Sequence, residues 1–321
     1  MSPADIWMDG ALLPWGEAHT SVLSHAIQRG ALVFDVGALR EGQDGRARLF
    51  RPREHIERFL RSASLIGLDV RWGVEALLAA TLDTALRSGV SHALVRWSAF
   101  VPTPEADVVP RPSARASVAI AIITPGDVST TAAPGEDARK LPEAIRLAIS
   151  AHVRKAGPEV FPPQAKVGAS YLGPMLAKRE ALAAGHHEVV LLDREGRIAE
   201  APTANVFAVR GGQLVTPPLD RVLSGITRDS VLALARAEGI PARESHLTPE
   251  ELVTADEVFL TATSYPVQAV AAVDGRALGA APGPLTARLR AGMLACERGQ
   301  DPRFHAWVTE LGATALNPRG S

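Results

Sequence analysis

The chain has 321 residues, 46% of them hydrophobic, which is enough for two packed domains and too apolar for disorder. Its formal net charge is -1 with acids and bases interspersed, so it lacks the positive footprint that a nucleic-acid backbone or an anionic membrane demands. The opening MSPADIWMDG carries acids and no basic segment before an apolar run, and no stretch approaches the ~20 apolar residues of a membrane span. A cytoplasmic protein without nucleic-acid or membrane partners is therefore expected. The single cysteine, Cys296, cannot form an internal disulfide and sits near Leu289, Met293 and Leu294 in a helical pattern, which reads as packing.

In chain order, the spacing of Ile56, Phe59, Leu60 and Ala63 predicts a helix over Pro52–Leu65, and a second runs from Val74 to Arg87 and ends at Gly89. HALVRWSAF alternates with period two and SVAIAII is a nearly unbroken apolar run, so both read as strands. This half reads as a small α+β domain, 1–123. From Thr124 to Pro142, TPGDVSTTAAPGEDARKLP concentrates Pro, Gly, Ser, Thr and charge with almost nothing to bury, and reads as an interdomain linker. Beyond it, 143–321 forms a larger domain. AIRLAIS predicts a strand, YLGPMLAKREALAAG a helix and HEVVLLD a strand; NVFAVR and QLVTPP then form a hairpin about Gly211 and Gly212. TRDSVLALARAEG and PLTARLRAGMLACERG predict helices, with strands DEVFLTAT and VQAVAAVDG between them. FHAWVTELGATALNPRGS is expected to give some packing and then fray. The whole is α+β in two unequal domains.

Four lysines stand against thirty arginines, and one of them, Lys166, lies in QAKVGASYL among small residues and a tyrosine. Arginine stays protonated at any working pH, whereas a lysine in a poorly solvated pocket can become an amine nucleophile that forms a Schiff base. An arginine-biased composition with one lysine surviving by accident explains the same count. In LSGITRDSVLALA, Gly225 opens a turn and Thr227 begins a helix whose free N–H groups suit an anion, although an ordinary cap has the same appearance. Glu200, in RIAEAPTANVF, is the lone acid in a run leading into a strand, placed either at a loop surface or against a cation.

QAKVGASYL, EAPTANVF, LSGITR and DEVFLTAT, in that order, resemble the signature series of the fold-type IV pyridoxal phosphate enzymes, which share the D-amino-acid aminotransferase-like fold. The likeness is greatest to branched-chain-amino-acid aminotransferases. IWMDGALLPWGEAHTSVLSHAIQRGALVFD and LFRPREHIERFLRSA are similar to that family's N-terminal domain, so the resemblance is collinear over nearly the whole chain. It implies a small N-terminal α/β domain and a larger, β-rich C-terminal domain with helices. The implied cofactor is pyridoxal 5'-phosphate, with no metal. Lys166 would carry the Schiff base and shuttle the substrate proton. Tyr171, one of two tyrosines, would meet the cofactor's phenolic oxygen, Glu200 its pyridine nitrogen and Leu223 its ring. Arg58 would grip the phosphate together with the Ile226 and Thr227 amides and the Thr227 and Thr263 hydroxyls.

For the substrate, Phe34 matches an apolar pocket residue, Arg96 the arginine that takes the distal carboxylate of glutamate, and Thr263 and Ser264 complete the pocket. The chain departs from the family where pocket tyrosines are usual: Arg29 and Leu94 stand there, and Arg29 or Arg40 is expected to serve as counter-ion instead. The implied activity is ping-pong transfer of an amino group between a branched-chain L-amino acid and 2-oxoglutarate, by a homodimer in which a neighbour's loop completes the pocket. The alternatives within the fold are a D-amino-acid or (R)-amine transaminase and, third, aminodeoxychorismate lyase. Outside enzymes, a phosphorylated-ligand binder without turnover is weighed against the retention of Lys166, Tyr171, Glu200 and Thr227 together.

Overall fold

The computed structural model describes residues 4–124 and 142–312. The expected linker falls almost wholly on 125–141, outside the described residues. The chain forms two compact units.

The first unit carries strands β1 (Ile6–Met8), β2 (Ala11–Leu13), β3 (Leu32–Glu41), β4 (Ala47–Phe50), β5 (Ala93–Phe100) and β6 (Ser117–Ile123), with helices α1 (His25–Arg29), α2 (Pro52–Leu65) and α3 (Val74–Ser88). The strands lie in the order β4-β3-β5-β6-β1-β2, every neighbouring pair antiparallel. The alternation predicted for HALVRWSAF is observed: Ala93, Val95, Trp97 and Ala99 are buried while Leu94, Arg96 and Ser98 are half-buried on the other face. Ile56, Phe59 and Ala63 of α2 and Leu77 and Ala85 of α3 are buried as their helical spacing requires. Full burial of side chains the size of Ile56 and Phe59 stabilises by roughly 1.5–3 kcal/mol each. Trp97 is fully buried and donates from Nε1 to Thr81 Oγ1 at 2.8 Å. Its ring occupies space that only a glycine leaves open, since a Cβ on Gly37 would sit 2.7 Å from it.

The second unit carries β7 (Ala144–Arg154), β8 (Glu188–Leu192), β9 (Asn205–Arg210), β10 (Gln213–Thr216), β11 (Ala242–Glu244), β12 (Glu257–Thr261), β13 (Gln268–Val273) and β14 (Arg276–Ala277), with α4 (Leu172–Ala183), α5 (Ile226–Ala237), α6 (Pro249–Val253) and α7 (Pro284–Glu297). Its mixed sheet runs β11-β10-β9-β12-β13-β7-β8, with β14 on β13. The β9–β10 hairpin turns on Gly211 and Gly212, both at positive φ, as their sequence requires. β8, β9 and β12 are buried on both faces, which is why they read as continuous apolar runs.

By contacts, Ala165–Ala169 and the described residues 295–312 cluster with the first unit, including the last turn of α7. A final strand, β15 (Val308–Glu310), pairs antiparallel with β4 and closes the first sheet at its edge. The segment expected to fray is therefore structural as far as residue 312. Trp307 stacks on Phe304 with centroids 4.1 Å apart and lies under the Arg51 guanidinium, an anchor that helical or strand periodicity does not report.

Candidate active site

In the first unit, β4 covers the edge of β3 along Ala38–Glu41. Further along that edge, Val167 bridges Val33, and the Lys166 carbonyl accepts from the Phe34 N–H at 3.1 Å. On its other side the Lys166 N–H donates to Ser62 Oγ at 3.1 Å. Lys166 is thus held through its main chain at both ends, so its side chain starts from a fixed point. Its Nζ lies 4.9 Å from the centroid of the Phe34 ring, and the Arg96 guanidinium lies 4.2 Å from the same centroid.

Arg58 is buried on α2, where its Nε and Nη2 donate to the two oxygens of Asp35, each at 2.8 Å. His55 Nδ1 lies 2.8 Å from Asp35 Oδ1 and its ring stacks over Trp97. Burial alone would push the Asp35 carboxyl up, but the charge and hydrogen bonds of Arg58, with His55, hold it well below its ordinary 3.8. Burial pushes His55 below its ordinary 6.5 against the pull of Asp35, so the neutral imidazole donates to the carboxylate. Ser62, one turn beyond Arg58, donates to the Arg58 carbonyl at 2.8 Å while receiving the Lys166 N–H. One helix therefore orients a guanidinium fork and fixes the backbone of the lysine.

Arg29 and Arg40 do not join this group. Arg29 is exposed at the end of α1 and bonds the Gln28 carbonyl at 3.1 Å. Arg40 lies six residues beyond Phe34 on β3, roughly 20 Å along a strand. There it is buried and donates from Nε to Glu297 at 3.0 Å. Serving as a substrate counter-ion would leave Glu297 buried without its cation, a loss of about 3–5 kcal/mol.

In the second unit, Glu200 is buried, which answers the loop-surface alternative. Its Oε2 accepts from Asn205 Nδ2 and from the Leu223 N–H, both at 3.1 Å, and its Oε1 lies 2.5 Å from Lys155 Nζ. Asn205 also donates to the Leu223 carbonyl at 3.1 Å. Gln164 braces the same segment, accepting from the Ser224 N–H at 3.0 Å and donating to the Val222 carbonyl at 3.0 Å. An ionised carboxylate offers about four acceptor positions, so Glu200 retains capacity on Oε1 for one further donor.

Gly225 precedes α5, whose first intrahelical bond is donated by Asp229 to the Gly225 carbonyl, so the amides of Ile226 and Thr227 face the free end of the helix. Ile226 and Thr227 are both buried. Thr263 and Ser264 occupy the β12–β13 turn, closed by the Ala262 N–H on the Tyr265 carbonyl at 3.1 Å. Thr261, opposite Asn205 in the β9–β12 register, has a buried hydroxyl with no partner among the described residues. Tyr171 lies at the start of α4, half-buried.

A side chain at Gly225 would overlap the Asn205 amide oxygen. Gly225→Ala is expected to dislodge Asn205 and lower stability by about 1–3 kcal/mol through the broken buried hydrogen bonds. Gly16→Ala, where a Cβ meets nothing, is expected to stay within about 0.5 kcal/mol of wild type. Urea unfolding of both variants checks this.

Sequence reasoning passed over Asp35, His55, Ser62, Lys155, Gln164 and Asn205. Asp35 had a signal, an acid in the apolar run LVFDVGAL. Lys155 had the same signal as Lys166, a lysine where arginine is the usual cation.

Residues 33–273 match the model of the amino-transferase class IV family. The branched-chain-amino-acid aminotransferase of Salmonella typhimurium is 33% identical over 310 residues, covering 96% of this chain and 97% of that protein. Among solved structures, a branched-chain amino acid aminotransferase from T.th., complexed with N-(5'-phosphopyridoxyl)-L-glutamate, superposes with a TM-score of 0.88 at 34% identity, over 97% of this chain and 100% of that one. The branched-chain aminotransferase of Thermoproteus uzoniensis with norvaline gives 0.88 at 32% identity, over 96% and 99%. Family match, sequence identity and fold agree: the chain belongs to the class IV aminotransferases.

Proposed function

We propose that the protein is a pyridoxal-phosphate transaminase that exchanges an amino group between a branched-chain L-amino acid and 2-oxoglutarate. The observation that carries this reading is the main-chain clamp on Lys166, which delivers one amine to a fixed point beside Phe34. When bound, pyridoxal phosphate supplies an aldehyde that condenses with amines and a ring that accepts electrons from the substrate's α-carbon. The residues present fit it. Lys166 would hold it covalently, Arg58 with the amides of Ile226 and Thr227 and the hydroxyls of Thr227 and Thr263 would hold its phosphate, and Glu200 has the acceptor capacity its ring nitrogen needs. Tyr171 would donate to its phenolic oxygen and Leu223 would pack on its ring.

The chain's own contribution to the chemistry is then proton handling and orientation. Once the amine of the amino acid has displaced it from the cofactor, the freed Lys166 Nζ would take the α-proton and return it to the carbon on the far side of the amino nitrogen, two atoms away, so the same nitrogen acts as base and acid. Glu200, ionised, keeps positive charge at the ring nitrogen favourable. Arg96, braced on Phe34, takes the distal carboxylate of glutamate or 2-oxoglutarate, in line with the glutamate adduct of the T.th. relative. Phe34 offers apolar surface to an aliphatic side chain. Thr263 and Ser264 line the pocket, and Arg29 is the remaining candidate for a second carboxylate contact.

A homodimer is part of the reading. Val22 and Leu23 just before α1, Ile27 on α1, and Val108 and Val109 on the loop after β5 are exposed, and the two segments are tied together by the Ser24–Pro104 bridge and by His25 Nε2 to the Val108 carbonyl at 2.7 Å, an apolar surface suited to a second subunit. A cytoplasmic setting accords with the lone, buried Cys296. No helix among the described residues is long and apolar enough to cross a membrane.

Absorbance spectra of the cofactor-loaded protein test the substrate assignment. L-leucine is expected to convert the near-visible band to the pyridoxamine form, whereas D-alanine and (R)-1-phenylethylamine leave it unchanged. Conversion by either of the latter alone overturns the assignment, and absence of any band after adding pyridoxal phosphate overturns the cofactor.

A further inference from the structure

We infer that Lys155 is a positioning residue of the active site, one buried ammonium that ties the Glu200 carboxylate to the Tyr171 phenol. The inference rests on the roles proposed above for Glu200 and Tyr171 and deepens them. Lys155 Nζ is 2.5 Å from Glu200 Oε1, with 19% and 8% of the two side chains exposed, so solvent does little to screen the pair. The same ammonium is electrostatically coupled to Tyr171. Burial would push Lys155 down, but Glu200 outweighs it and holds the amine above its ordinary 10.5, so the group is a permanent cation.

The distance is set by a sheet and not by loops. The Lys155 N–H donates to the Leu192 carbonyl at 2.8 Å, and the Glu200 carbonyl accepts from the Leu191 N–H at 2.9 Å. Consecutive residues at the end of β8 thus hold the two backbones, and the side chains meet beyond them. An ammonium carries three donors around a point, so it can serve Glu200 and face Tyr171 at once, whereas a guanidinium fork tends to lie flat along one carboxylate. In a chain with thirty arginines the lysine matches that geometry.

The consequence is electrical. With Lys155 in place, Glu200 has a charged partner besides the neutral donors of Asn205 and Leu223, and the same positive charge acts on Tyr171. Without that charge, Glu200 is a buried anion with neutral partners only, and the Tyr171 phenolate loses its stabilising neighbour.

The test is made on Lys155→Gln, which can still hydrogen-bond Glu200, and Lys155→Arg, which restores charge. Both are built in a Tyr265→Phe background, so that Tyr171 is the sole tyrosine of the two in the chain. Phenolate absorbance of the apoprotein is titrated, and kcat and melting temperature are measured on the loaded enzyme. The expected result for Lys155→Gln is a Tyr171 titration about one pH unit higher and kcat lower by about tenfold, both recovered at least in part by Lys155→Arg. An unchanged phenol titration overturns the inference, as does a variant whose melting temperature alone moves. Because the titration needs no turnover, a shift seen in a protein whose parent fails to transaminate would retain the Lys155 link while refuting the functional reading.

Discussion

Lys166→Ala is expected to lower kcat by about 10⁴-fold or more, because it deletes the amine nucleophile together with a general base that alone contributes about 10²–10⁴. The fold should survive. Both anchors of residue 166 are main-chain groups, the N–H on Ser62 and the carbonyl on Phe34, and alanine keeps them. The loss should therefore appear in turnover and in the near-visible absorbance of the loaded protein, with urea unfolding nearly unchanged. Lys178→Ala, which removes a partly exposed partner of Glu188, is the control and is expected to stay close to wild-type turnover. Activity of the Lys166 variant within tenfold of wild type would remove Lys166 from the mechanism.

Asp35→Asn is expected to be the most destabilising single change in the first unit, by about 3–5 kcal/mol, because it strands a buried guanidinium. Asparagine keeps the shape but turns an acceptor into an amide whose N–H₂ opposes Arg58. The carboxylate also receives His55, so two side chains lose their alignment together. Cofactor affinity should fall with stability, since Arg58 is the proposed phosphate grip.

The pH dependence has a defined sign. The Asp35 carboxyl is depressed in the folded state, so its stabilisation is complete above about 3.8 and is lost as pH falls through the depressed value. His55 is also depressed, and being a base it binds its proton more readily in the unfolded chain; stability therefore declines as pH falls below about 6.5. Urea midpoints at pH 8, 5.5 and 2.5 should fall progressively for wild type. His55→Gln should lose the step near pH 6 and keep the acid one. Equal midpoints for wild type and Asp35→Asn at pH 8 would mean that Arg58 finds another counter-charge.

The sequence by itself determined elements whose information is local. α2 and α3 are legible because 3.6-residue spacing places Ile56, Phe59, Leu77 and Ala85 on buried faces, and β5 because alternation separates Trp97 from Arg96. The collinear motifs around Lys166, Glu200 and Gly225 made the family legible, since each is a short run whose residue types carry their own chemistry. What only the tertiary structure decided depends on residues far apart in sequence. Asp35 meets Arg58 across 23 positions, Lys155 meets Glu200 across 45, and Arg40 meets Glu297 across 257. Periodicity reports which face a residue occupies and is silent about what stands opposite it. Hence Arg40 read as a pocket cation when burial had already given it a carboxylate, and β15 read as a tail because its partner β4 lies some 260 residues earlier. A buried charge acquires its role from the counter-charge that burial obliges it to find, and that partner is set by the way the chain returns on itself.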